Sequence, residues 1–127
     1  MSCSVLCVDD DPLFGLVVDR IFLNLSQNVD VIPKTSSKEA LHYLKNLDEY
    51  SFPKAIVLDI NLSKANAFEF LHHMDENKHP EIPIFLISSS PFPEDKKKAD
   101  QNSSIKEIFK KPFSVTHAQT ILETIEG

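Results

Sequence analysis

No stretch of this 127-residue chain approaches the ~18 consecutive apolar residues that a membrane-spanning helix needs. The N-terminus has no basic residue ahead of its short apolar run, which stops at three aspartates, so it does not read as a secretory signal. An excess of positive charge is missing too. The formal net charge is −6, and the only basic run, Lys96-Lys97-Lys98, reads as a solvated helix face, so nucleic acid is not expected as a partner. There are two cysteines, Cys3 and Cys7, in one extended segment and ~13 Å apart if it is a strand, too far to bridge each other. Neither has a nearby histidine that would make it a nucleophile. Reduced thiols, no signal and no span give a cytoplasmic protein as the expectation. No linker, repeat or low-complexity tract interrupts the chain, so 1–127 reads as one domain, enough for one core and too short for two.

What is present is a regular alternation. Apolar content of 42% and charged content of 25% suit a soluble globular domain. Residues 4–8 read as a strand, followed by a helix opened by Pro12 with Phe14, Val17, Val18, Ile21, Phe22 and Leu25 on its apolar stripe. "VDVIP" at 29–33 is a second strand. "SSKE" at 36–39 is a capping box with Ala40, Leu44 and Leu47 behind it. "AIVL" at 55–58 is a continuous apolar strand ending at Asp59, and Ala67, Phe70, Leu71 and Met74 mark a third helix. "IPIFLI" at 82–87 is a strand ending in Ser88-Ser89-Ser90. Residues 93–102 form a marginal helix whose only apolar residue is Ala99, with acids first and lysines after, as the dipole prefers. "IKEIF" at 105–109 is the last strand, and Ala118, Ile121, Leu122 and Ile125 give a final helix capped near Ser114.

Five strand–helix units predict a parallel sheet with helices on both faces, a three-layer α/β/α sandwich. Strands one, three and four are apolar throughout, as central strands should be. Strands two and five carry Asp30, Pro33, Lys106 and Glu107, which suit edges. The order 2-1-3-4-5 satisfies both conditions. It is the flavodoxin-like doubly wound arrangement, with its crevice at the carboxyl ends of strands one and three.

That topology gathers separate features into one place. Asp9, Asp10 and Asp11 leave strand one, Asp59 leaves strand three, Ser88 ends strand four and Lys111 follows strand five. Carboxylates ~4 Å apart repel by ~4 kcal/mol near a protein surface, so the cluster needs a cation. Oxygen ligands at this density suit a hard ion, Mg²⁺ above all, which keeps several waters and prefers to share carboxylates with a phosphate. The crevice is suited to phosphoryl chemistry. Asp11 is read as stabilising the helix dipole rather than as a ligand. His72, His73 and His79 are read as surface, because adjacent residues on a helix point ~100° apart.

"VDDDP" at 8–12, "LDIN" at 58–61, the hydroxyl residue in "LISSS" at 86–90 and "KKPF" at 110–113 together resemble the receiver domain of two-component response regulators, over the whole chain. The resemblance implies a stand-alone receiver, phosphorylated on aspartate by a histidine kinase or a histidine phosphotransfer protein and signalling through altered protein contacts. By the same resemblance Asp59 is the phosphoacceptor. Asp9 and Asp10 hold Mg²⁺ with Asp59, and Asn61 lends its backbone carbonyl. Ser88 is the hydroxyl that turns toward the phosphoryl group, Lys111 pairs with its oxygens, and the Lys111–Pro112 peptide is cis.

Three departures qualify the match. Ser63 and Ala67 stand where the family often has Pro and Gly, and Ile108 stands where many receivers carry an aromatic coupled to the switch hydroxyl, a role to which Phe92 or Phe109 could contribute. Ile108 leaves open a pseudo-receiver that binds partners independently of phosphorylation. An Mg²⁺-dependent aspartyl phosphatase would want a second acid two residues beyond the nucleophile, and Asn61 is there instead, so no enzyme beyond self-phosphorylation and slow autodephosphorylation is expected.

Overall fold

In the computed structural model, which describes residues 3–26, 28–48, 50–62, 67–76 and 81–126, the alternation resolves into strands β1 (Cys3–Val8), β2 (Val29–Lys34), β3 (Ala55–Asp59), β4 (Ile84–Ser88) and β5 (Ile105–Lys110). Between and after them run α1 (Pro12–Leu25), α2 (Ser37–Lys45), α3 (Ala67–Glu76), α4 (Pro93–Asp100) and α5 (Val115–Glu126). The strands pair in parallel in the order β2-β1-β3-β4-β5, the flavodoxin-like order inferred from which strands are wholly apolar. Ser63 and His79 lie outside the described residues.

Two cores flank the sheet because strand side chains alternate. Leu6, Val8, Ile56, Leu58, Ile84 and Leu86 face α2, α3 and α4, where Leu44, Phe70 and Met74 cover them. Val5, Cys7, Val57, Phe85 and Ile87 face α1 and α5, against Val18, Phe22 and Ile121. Cys3 and Cys7 are both unbridged, as expected from their spacing.

The first helix departs from the stripe the periodicity suggested. Val17 and Leu25 face outward, and the buried residues are Phe14, Gly15, Val18 and Phe22. The cause is close packing against β2: a Cβ on Gly15 would lie 2.8 Å from Cβ of Pro33, so the helix is rolled to present its one glycine to the strand. Leu13 and Leu16 are consequently 64% and 65% exposed, and Leu23 is exposed with them. Leu47 also misses its helix, which ends at Lys45, and is only half-buried beyond it.

Caps fix the helix ends near the crevice. Asp11 accepts the Leu13 N–H (3.0 Å) and caps α1. Ser36 accepts the Glu39 N–H (3.1 Å), but Glu39 reaches the Thr35 N–H (3.3 Å) rather than that of Ser36, so the expected box closes one residue early. At α5 the Ser114 hydroxyl accepts the His117 N–H (3.3 Å) while His117 Nδ1 accepts the Ser114 N–H (3.2 Å), a reciprocal cap built on imidazole. Burial lowers the His117 pKa, with Glu107 opposing, which favours the neutral ring this acceptor role needs.

The contact of Gly15 with Pro33 is open to test. Alanine is favoured over glycine within a helix by ~1 kcal/mol, whereas overpacking a tight contact costs ~1–3 kcal/mol. Gly15→Ala should therefore lose about 1 kcal/mol in urea unfolding. A more stable variant would show that the α1–β2 approach relaxes freely.

Candidate functional site

The site begins with strand register. Parallel pairing sets Val5 beside Ala55 and Cys7 beside Val57. The same alternation puts Asp9, just past the end of β1, beside Asp59, the last residue of β3, on the α1/α5 side of the sheet. Both residues are nearly buried, 3% and 7% exposed, while Asp10 is exposed at the rim. One oxygen from each of Asp9, Asp10 and Asp59 lies within 4.8 Å of the others, the one such acidic or histidine group among the described residues. Asp11 is not part of it.

Lys111 supplies the local counter-charge. Its Nζ donates to Asp9 Oδ2 at 2.8 Å and lies 3.5 Å from Asp59 Oδ2. The residue is brought there by β5, because the Lys111 N–H donates to the Ser88 carbonyl (2.8 Å) at the end of β4. The following Lys111–Pro112 peptide is cis, as the sequence resemblance implied. Backbone amides complete the setting: Asp9 Oδ1 accepts the Asp11 N–H (2.9 Å), and Asp59 Oδ1 accepts the Asn61 N–H (3.1 Å).

These positions set the electrostatics. Burial raises the Asp59 pKa, and the Asp9 charge raises it further, against the Asn61 amide and Lys111, which lower it. Burial alone would depress Lys111, but the hydrogen bond to Asp9 and the charges of Asp59 and Asp9 outweigh it and raise its pKa. Burial also pushes the Cys7 thiol well above its ordinary range, Asp9 adding to the effect, so this nearby cysteine is inert as a nucleophile. Three clustered carboxylates facing one ammonium leave a site short of positive charge. Hard oxygen donors in that state fit Mg²⁺.

Ser88 is the buried member of its serine run, 1% exposed, whereas Ser89 and Ser90 face solvent. Its hydroxyl accepts the Ser90 N–H (3.1 Å), and Asn61 is exposed beside Asp59. His72 and His73 are exposed on α3. Ile108 is half-buried and packs toward the α2/α3/α4 core, while Phe109 is buried on the opposite face. Ile108 also lines a groove of about 740 Å³ between α4 and β5, with Phe92, Ala99 and Ile105, away from the carboxylates.

Sequence reasoning placed Phe14 in the core and missed its second contact: its ring centroid lies 4.9 Å from Lys111 Nζ. Positions 14 and 111 are far apart in the sequence, so only the strand order could have paired them.

The fold and this arrangement are those of a receiver-type signalling domain. The response regulator receiver domain model matches residues 5–124, and the chain belongs to that family. A two-component response regulator from Cytophaga hutchinsonii is similar in structure, with 23% identity, a TM-score of 0.84, and 99% and 98% of the two chains covered. One from Legionella pneumophila shares 25% identity with a TM-score of 0.83 and 98% coverage of both chains. Chemotaxis protein CheY4 of Vibrio cholerae shares 20% identity, with a TM-score of 0.80 over 98% of this chain and 99% of that one. No curated protein matches. No helix among the described residues is long and apolar enough to cross a membrane.

The raised pKa of Asp59 has a consequence for stability. A carboxyl whose folded pKa exceeds its unfolded value favours folding below the unfolded pKa and loses that contribution as pH rises through the folded one. In chelator-containing buffer at pH 7, Asp59→Asn should thus unfold at higher urea than wild type. The gap should close as pH falls toward 3.8, the ordinary aspartate value. A wild type more stable than the variant at pH 7 would contradict this account.

Proposed function

We propose that the chain is a phosphorylation-controlled response regulator that takes a phosphoryl group onto Asp59 from the phosphohistidine of a histidine kinase or phosphotransfer protein. One observation carries this: a nearly buried carboxylate at a strand end, with two more acids within 4.8 Å and an ammonium 3.5 Å away. In the transfer an Asp59 oxygen bonds phosphorus as the phosphorus–nitrogen bond of the donor breaks, and the imidazole departs with that electron pair. Asp9, Asp10, Asp59 and the Asn61 backbone carbonyl are the residues that would hold Mg²⁺. The bound ion supplies neutralisation of the phosphoryl oxygens, and Lys111 adds its ammonium.

The response follows from Ser88. Its hydroxyl oxygen accepts the Ser90 N–H, so turning the side chain toward an acyl phosphate on Asp59 to donate its O–H carries that oxygen away from the amide, releases the turn and shifts the loop ahead of α4. Altered protein contacts at the α4–β5 face are the output. The exposed Leu13 and Leu16 of α1, next to the acidic rim, offer the donor an apolar surface. The cytoplasm, where histidine kinases hold their phosphohistidine, is the corresponding location. Ile108 supports a second reading, a pseudo-receiver adaptor indifferent to phosphate, because no aromatic stands at that position to follow Ser88.

Incubation with Mg²⁺ and acetyl phosphate, followed by intact mass measurement, separates the two. Wild type should gain one phosphoryl mass, and Asp59→Asn or removal of Mg²⁺ by chelation should abolish the gain. No addition to wild type favours the adaptor. Ser88→Ala should still be phosphorylated yet lose the amide chemical-shift changes across residues 89–100 that wild type shows. Identical changes in both would remove Ser88 from the switch.

A further inference from the structure

Lys111 is a flexible four-carbon chain ending in a compact charge, and on its own it has several ways to sit near two carboxylates. The structure sets an aromatic face against its ammonium. Nζ lies 4.9 Å from the Phe14 centroid while holding Asp9 at 2.8 Å and facing Asp59 at 3.5 Å. An ammonium within ~6 Å of a ring face is attracted by the ring quadrupole, more strongly when water is excluded. Phe14 is nearly buried, so the contact is partly desolvated.

The ring is itself held. Phe14 lies in the first turn of α1, whose cap is Asp11, the residue whose N–H also bonds Asp9. Phe113 meets it edge-on, with centroids 6.3 Å apart at 82°, and Phe113 in turn leans on Phe22 at 5.9 Å. Asp9, Phe14 and Lys111 are therefore fixed relative to one another by a cap, a helix turn and an aromatic pair.

We infer that Phe14 is a positioning residue for Lys111, holding the ammonium by a cation–π contact where it meets the Asp9 and Asp59 carboxylates. This rests on the proposed role of Lys111 in phosphoryl transfer. A merely space-filling phenylalanine would be indifferent to its quadrupole, and that is the discriminating property.

The experiment replaces Phe14 with 4-fluoro-, 3,5-difluoro- and 3,4,5-trifluorophenylalanine, which drain the ring face of negative potential with little change in shape. Phosphoryl incorporation from acetyl phosphate at saturating Mg²⁺ should slow stepwise with each fluorine, by about fivefold in total. The concentration of Mg²⁺ giving half-maximal rate should stay fixed, and Phe14→Leu should fall at the slow end. In a Lys111→Met background the residual rate should ignore fluorination. Rates independent of fluorine count in the wild-type background would overturn the inference. If wild type takes up no phosphoryl group, the functional reading fails by itself. The contact is then read from urea unfolding in chelator. Stability falling with fluorination only when Lys111 is present upholds it, and equal falls with lysine or methionine overturn it.

Discussion

Three carboxylates cluster at one end of the sheet around the ammonium of Lys111, and most of the local structure answers to that imbalance. Asp9 stays nearly buried because its two oxygens are both occupied, one by the Asp11 amide and one by Lys111. Asp59 is offered less: one oxygen accepts the Asn61 amide, the other faces Lys111 at 3.5 Å, and Asp9 works against its ionisation. Of the two buried carboxylates Asp59 is held less closely than Asp9, and it is the one proposed to take the phosphoryl group. In a low-dielectric crevice such a group gains from an added cation.

The fold makes this crowding possible at modest cost, because the groups sit on elements fixed elsewhere. Asp9 and Asp59 are the next steps after strand residues buried between α1 and α5, and Lys111 is tied to the Ser88 carbonyl. None of them can drift from the others without breaking sheet pairing. The opposite end of the machinery is built otherwise. α4 buries Ala99 alone and borders an open groove toward β5, where Ile108 fills less space than an aromatic would. A segment with few buried apolar contacts opens at low free energy. Rigidity at the acids and looseness at α4 are the two properties the proposed switch needs together.

Much of this was legible in the sequence because its causes are local. Continuous apolar strands against strands broken by Asp30, Pro33, Lys106 and Glu107 fixed which were central, and the order followed. Acids at strand ends then fell into one crevice without any side-chain geometry. What escaped depended on contacts between distant segments. Helical periodicity treated Val17 and Gly15 by hydrophobicity, whereas the close approach of Pro33 decided which of them faces inward. The capping-box pattern named Ser36 and Glu39 but not the Thr35 amide that Glu39 selects. The imidazole cap at α5 was invisible, since a histidine at the third helical position matches no usual signature.

The same limit explains Phe14, and it bears on how the lysine is to be understood. A charge placed between two carboxylates is commonly described by those partners alone, yet Coulomb attraction to Asp9 and Asp59 restrains distance far more than direction. Direction comes from what blocks the other side, and here that is a ring gripped by Phe113, two residues beyond Lys111 itself. Phe113 also touches His117, which stacks on Phe109 at 4.2 Å, and Phe109 stacks on Phe85 of β4. The packing around the ammonium is thus continuous with the cap of α5 and the interior of the sheet. An electrostatic site is only as well aimed as the apolar groups behind it, and in this chain those groups are aromatic and interlocked.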